Sequence, residues 1–380
     1  MVRARGRKDR ESLRATLVIL RHCNNASARV RITHTTGAVL CAAVVLELLA
    51  SRMSVESSQG GSFTLASLNS YLSTTVRPTA AETRALMNGG PITKLLDADA
   101  SKEVAIFGAV WINAPIRRYV EAVKDIEKFE KGGGFTLTKL ISSPPRLDDF
   151  AQLRLPEDDV KDLRSCRGGD CDLKLGDKGL QAFRAEVDWS GPGTHAGAEA
   201  VMRRLAFEYV IGYLEGGNER LAVYRDRTRP TAVAGEFRSM VDQMPSLTTY
   251  MPDMRRYLLE YPTVQLPDAT SFLYWQETQF GLKPTIRINH LTIHEGTDST
   301  VVASKMLYAS HYFWTALELR VLLPDLSRGP GFWLVTISRS RSDGLSGFTG
   351  LFVRRRVRSE ALNGMLAALK ATKSRLERQP

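Results

Sequence analysis

Residues 305–319 read KMLYASHYFWTALEL, one histidine among aromatic and aliphatic neighbours. If this stretch is a single strand, Met306, Tyr308, Tyr312 and Trp314 share one face, while Leu307, His311 and Phe313 share the other. A small-molecule cavity needs an apolar wall and a few polar groups that orient the guest. This stretch offers both. His311 could donate to a carbonyl or act as a general base. The competing reading is a hydrogen-bonded sheet histidine with its aromatic neighbours in a core.

Two more segments carry reactive side chains. In SFLYWQETQF (271–280), Trp275 and Glu277 alternate onto one face. Burial among apolar residues would suit Glu277 to acid–base work, which makes Glu277 and His311 the candidate catalytic pair. Arg287 and Arg339 also sit within apolar runs. There a guanidinium can hold a carboxylate or phosphate through two bonds, or pair with a glutamate across a sheet. The candidate ligand-binding set is therefore Trp275, Glu277, Arg287, Tyr308, His311, Tyr312, Trp314 and Arg339.

Other constellations are excluded by geometry. His290 and His294 are four apart, which on a strand is about 13 Å at roughly 3.3 Å per residue. They cannot share one metal, and no metal or cofactor is expected. No nucleophile elbow, Walker loop or dinucleotide fingerprint is present. Cys166 and Cys171 flank two glycines in SCRGGDC. A small-loop disulfide suits that spacing in an oxidising compartment; two free thiols in a surface loop are the alternative.

These side chains need elements to hold them. PTAAETRALMNG (78–89) reads as a short helix, with Pro78 near its start and Asn88-Gly89 at its end. EVAIFGAVWI (103–112) reads as a strand, and Pro115 opens a helix whose Ile116, Tyr119, Val120 and Val123 share a face. FTLTKLISS (135–143) alternates as a strand. Residues 146–262 are dominated by helical signals, at 197–215, about 232–243 and 252–260. From 271 the pattern returns to β-branched and aromatic runs separated by turn residues, which favours antiparallel pairing. Residues 346–378 lack proline and read as a long C-terminal helix.

Of 380 residues, 43% are hydrophobic and 24% charged, the balance of a globular chain. The net charge of +11 is concentrated at the start, where residues 1–53 hold ten Lys/Arg against three acidic residues. That surplus of seven leaves +4 for the remainder. The body is not strongly basic, and no nucleic-acid recognition signature appears. Residues 37–50, GAVLCAAVVLELLA, follow Arg29 and Arg31 and lead into small and polar residues. That order predicts a secretory signal or signal-anchor over 1–53, or else a buried helix. Residues 54–102 then supply a Ser/Gly-rich linker and the short helix.

A strand, short helices, an antiparallel sheet and one long last helix make an α+β order. It resembles the helix-grip architecture of the START and birch-pollen-allergen (SRPBCC) superfamily. The resemblance rests on VWINAPIRRYVEAVKDIEKFE, with Asn113-Ala114-Pro115, on the strands of 271–340, and on the helix after Asp343-Gly344. It covers roughly 104–143 and 268–378 of a domain spanning 103–378, with 146–262 as a large helical insertion. It implies a curved sheet around the C-terminal helix, with a cavity between them for a lipid or other hydrophobic molecule; the signal-like segment adds the expectation of an exported, periplasmic protein. Carriers and cyclases both occur in that superfamily, so a non-enzymatic binder, a Glu/His enzyme of cyclase, dehydratase or hydrolase type, and an interaction module acting through the insertion all stay open. Phe348, Leu351 and Phe352 beside Arg354, Arg355 and Arg356 suggest transient contact with an anionic membrane, or a helix with one core face and one solvated face.

Overall fold

The alternating and helical runs of the sequence become separate elements in a computed structural model, which describes residues 62–378 apart from 133, 280–282 and 346. The signal or signal-anchor expected over 1–53 and most of the linker lie outside the described residues. Thr64 caps α1 (Leu65–Tyr71) by accepting from the Ser67 amide at 3.2 Å. Thr79 and Glu82 form a reciprocal capping box at the start of α2 (Ala80–Met87). Next come β1 (Ile92–Leu95) and β2 (Glu103–Ile112). All ten residues of β2 are buried, so both of its faces are covered. Pro115 fixes the entry to α3 (Ile116–Lys124), which buries Tyr119, Val120 and Val123. Helix α4 (Ile126–Phe129) leads to β3 (Phe135–Leu140).

The segment expected to be helical follows. It holds α5 (Glu157–Ser165), α6 (Asp177–Glu186), α7 (Thr194–Gly216), a ribbon of β4 (Val223–Tyr224) and β5 (Thr231–Ala232), then α8 (Val233–Val241), α9 (Pro245–Thr248) and α10 (Pro252–Glu260). The chain returns to β6 (Ala269–Thr278), β7 (Thr285–Glu295), β8 (Thr300–Ala309), β9 (Phe313–Pro324) and β10 (Phe332–Ser342), and ends in α11 (Gly347–Arg378). An eight-stranded antiparallel sheet runs in the order β1-β2-β10-β9-β8-β7-β6-β3.

Register divides the sheet into two faces. Ile106, Ser338, Glu318, Ser304 and Leu291 are successive cross-strand partners on one face. Helix α11 packs there, against β2, with Leu369 and Leu376 buried beside Val110, Ile112 and Leu334. Gly108 allows this approach: a Cβ there would lie 2.9 Å from both Leu369 Cδ1 and Met365 Cγ. The other face carries Phe107, Ile337, Leu319 and Ala303. It is covered by α1, α2 and α8–α10 at one end, and by α5–α7 at the other. The helical segment is thus the second layer of the sheet.

The single-strand expectation for 305–319 is corrected. The chain reverses at Ser310–Tyr312, where Tyr312 takes a left-handed backbone (φ 60), and β8 and β9 pair as a hairpin. Register also slips between Ile288 and Asn289, which face Tyr308 and Met306 respectively. Leu307 is the extra residue of this bulge. Met306 and Tyr308 therefore point to opposite faces, not the same one.

Candidate functional site

A cleft of 420 Å³ opens between α6, α7 and the sheet face opposite α11. The sequence makes room for it with small residues. Ala206 and Gly212 lie on the cleft side of α7, and a Cβ at Gly212 would meet nothing within 4 Å. Leu175, Met202, Leu205 and Ile288 supply apolar walls. Tyr209, Tyr224 and Tyr308 form an edge-on cluster, with Tyr308 ring centroids 6.0 Å from Tyr209 and 6.2 Å from Tyr224. Two of these phenols are tied to backbone. Tyr209 donates to the Leu307 carbonyl at 2.7 Å, and the Ala309 amide donates to the Tyr224 hydroxyl at 3.3 Å. The Tyr308 hydroxyl is buried and has no hydrogen-bond partner among the described residues. Burial first, and then the charge of Asp159, hold this phenol well above its ordinary pKa.

Charged groups cluster near Tyr308. Lys174, itself part of the cleft lining, is 1% exposed and lies 3.1 Å from Asp226; it also donates to Asp343. His311 Nε2 is 2.9 Å from Asp159 Oδ2, and its Nδ1 is 3.1 Å from the Asp172 carbonyl. Each ring nitrogen of His311 therefore already stands within hydrogen-bond distance of a protein oxygen. Asp159 Oδ1 accepts no hydrogen bond among the described residues, and Lys283 Nζ stands 3.8 Å away. Lys283 also contacts Asp162 at 2.5 Å and Asp172 at 3.3 Å.

The structure brings together Tyr308, His311, Tyr312 and Trp314 around the β8–β9 turn. The Tyr312 hydroxyl accepts from the Lys283 amide at 2.7 Å, and Trp314 donates to Asp343. The carboxylate bonded to His311 is Asp159 of α5. Glu277 faces Ile286 in the β6–β7 pair, on the face of Trp275. The Trp275 indole is buried, donates to the Asp149 carbonyl at 2.9 Å and stacks on Phe150. Arg287 lies on the α11 side, within reach of Asn289. Arg339 binds Glu103 at 2.7 Å, a carboxylate it shares with the fully buried Arg341 at 2.8 Å. Cys166 and Cys171 are joined by a disulfide. On α11, Phe352 is 72% exposed, Arg355 and Arg356 are exposed, and Arg356 pairs with Glu360. The side chains of Phe348 and Leu351 lie outside the described residues.

A second buried cluster has no counterpart in the sequence reading. Lys305, 1% exposed, donates to Asn218 and to the Tyr213 hydroxyl at 3.3 Å, and lies over the rings of Tyr213 and Phe237. Burial alone lowers its pKa from 10.5 to about 7. Tyr213 also bonds His290 Nδ1 at 2.9 Å. Burial first, then the Lys305 charge, lower His290 from 6.5 to about 3. A charged residue inside the apolar run of β8 was the available signal. Alternation alone did not say which face it would take.

Among the described residues no group of three or more His, Cys, Asp and Glu is placed to hold a metal, and no helix is long and apolar enough to cross a membrane. Comparison with family models, curated proteins and solved structures finds no match to this chain.

Proposed function

We propose that the protein binds a hydrophobic small molecule in the cleft between α6, α7 and the β7–β8 face of the sheet, without transforming it. The observation that carries this reading is the cleft itself: 420 Å³, walled by aliphatic side chains and three tyrosines, with Lys174, Asp177, Lys178, Glu208 and Arg220 also in its lining. That volume lies within the ordinary range of ligand sites. The histidine near the cleft favours binding over turnover, because both of its nitrogens are occupied.

The strand order supports the resemblance to the helix-grip superfamily. Strands β2-β10-β9-β8-β7-β6-β3 follow one another across the sheet, with two short helices between β2 and β3 and a long helix last. In that superfamily the guest lies between sheet and last helix. The cleft described here lies on the opposite face, under the helical segment, which we infer is this chain's own ligand-binding layer.

Gly212→Phe tests the reading. The new ring would enter open space from a helical backbone that accepts any residue, so folding should be unaffected or improved. Binding of an uncharged fluorescent apolar probe such as N-phenyl-1-naphthylamine should fall at least tenfold. Unchanged probe binding in a folded Gly212→Phe protein would remove the cleft as the site.

A further inference from the structure

Two buried groups near the cleft lack a hydrogen-bond partner among the described residues: the hydroxyl of Tyr308, and Oδ1 of Asp159, which has only the Lys283 ammonium 3.8 Å away. Tyr308 is 8% exposed and lines the cleft, and Asp159 is 1% exposed. Leaving either group unmatched is costly, so both call for a partner. The chemistry of that partner is constrained. A carboxylate only accepts, and would face Asp159 and Asp226. An ammonium only donates; it could reach the Tyr308 oxygen but would leave the Tyr308 proton without an acceptor. A hydroxyl does both.

We propose that the cleft selects hydrophobic molecules bearing a hydroxyl group, an aliphatic alcohol or a phenol, whose oxygen accepts from Tyr308 and donates toward Asp159, directly or through one ordered water. This rests on the cleft being the binding site. The apolar body lies against Met202, Leu205 and Ile288, and the hydroxyl end points toward Tyr308. Lys174 is held by Asp226 and Asp343, so it is already paired and does not recruit an anion. His311 holds the other oxygen of Asp159, which fixes the carboxylate with Oδ1 free of hydrogen bonds among the described residues and only the Lys283 ammonium nearby.

The test is calorimetric titration of the full chain with naphthalene, naphthol and naphthoate, which share one ring system. Wild type should bind naphthol roughly tenfold tighter than naphthalene, the worth of one well-formed hydrogen bond, and naphthoate more weakly than either. Tyr308→Phe should bring naphthol down to the level of naphthalene and leave naphthalene unchanged. That variant deletes a hydroxyl without a partner, so its melting temperature should hold or rise. Equal binding of naphthol and naphthalene, blocked by Gly212→Phe, would overturn the selectivity and leave the cleft standing, with water the only partner of Tyr308. Tightest binding of naphthoate, or an equal loss for all three in Tyr308→Phe, would also overturn it. No binding of any of the three to wild type would remove the cleft reading itself.

Discussion

Lys305 Nζ lies 3.3 Å from the hydroxyl oxygen of Tyr213, beneath α7 and over the Phe237 ring of α8. Asn218 and Tyr213 offer it neutral oxygens, and Tyr213 turns its other side to His290 of β7. A lysine so placed is costly to charge, which makes the cluster a stability element with a defined pH response.

That response has a definite sign. Between pH 7 and 10.5 the unfolded chain holds a proton at Lys305 that the folded chain does not, so stability rises with pH across that window. Below pH 7 both states are protonated and the cost is fully present. Lys305→Met should therefore raise stability at pH 7 by a few kcal/mol, less about 1 kcal/mol for each lost hydrogen bond. The gain should shrink toward pH 10. Thermal melts from pH 6 to 10 check this; parallel curves for wild type and variant would refute it.

His290 shapes the acid limb in the same direction. Its folded value near 3 against an ordinary 6.5 means that the unfolded chain takes up a proton first as pH falls. Stability should decline between pH 6.5 and 3, and His290→Gln should flatten that decline. Urea midpoints at pH 4 and 7 decide it: an unchanged difference between the two would place the acid sensitivity elsewhere.

The buried pair of His311 and Asp159 joins α5 to the β8–β9 turn. Asp159→Asn or His311→Gln alone leaves one partner of a buried pair without its counterpart, at about 3–5 kcal/mol. The double variant should cost clearly less than the sum. Equilibrium urea unfolding of the cycle measures the coupling, and strict additivity would mean that the two groups act independently.

Much of the frame was legible because periodicity is a local property. EVAIFGAVWI reads as a strand and is β2 over Glu103–Ile112, and the proline-free tail is α11. The hairpin at Ser310–Tyr312 was not legible, since no Gly, Asn or Pro marks it and Tyr312 alone adopts the left-handed backbone. Its consequence was large, because strand faces depend on register. The partners of His311 and Lys174 come from α5, from the second residue after β4 and from the residue after β10, separated by up to 169 residues. Such contacts leave no mark in local spacing. Arg339 shows the reverse case: a cross-sheet pair with a glutamate was among the sequence readings, and Glu103 supplies it.

The seat of α11 on the sheet depends on Gly108. An added Cβ would press on Met365 and Leu369 at 2.9 Å, too near for a real contact. Gly108→Ala lowers the backbone entropy of the unfolded chain, which favours folding by about 0.5–1 kcal/mol. Overpacking opposes it by about 1–3 kcal/mol, so a net loss is expected. Met365 is half-buried, and Met365→Ala alone should cost less than the roughly 2–5 kcal/mol of a fully buried methionine. Each substitution makes room for, or fills, the space of the other. Together they should cost less than their sum, with Gly108→Ala close to neutral in the Met365→Ala background. Chemical denaturation of the four proteins gives the coupling. Additive losses would mean that α11 does not rest on Gly108, and with that the packing of the last helix across β2 would have to be redrawn.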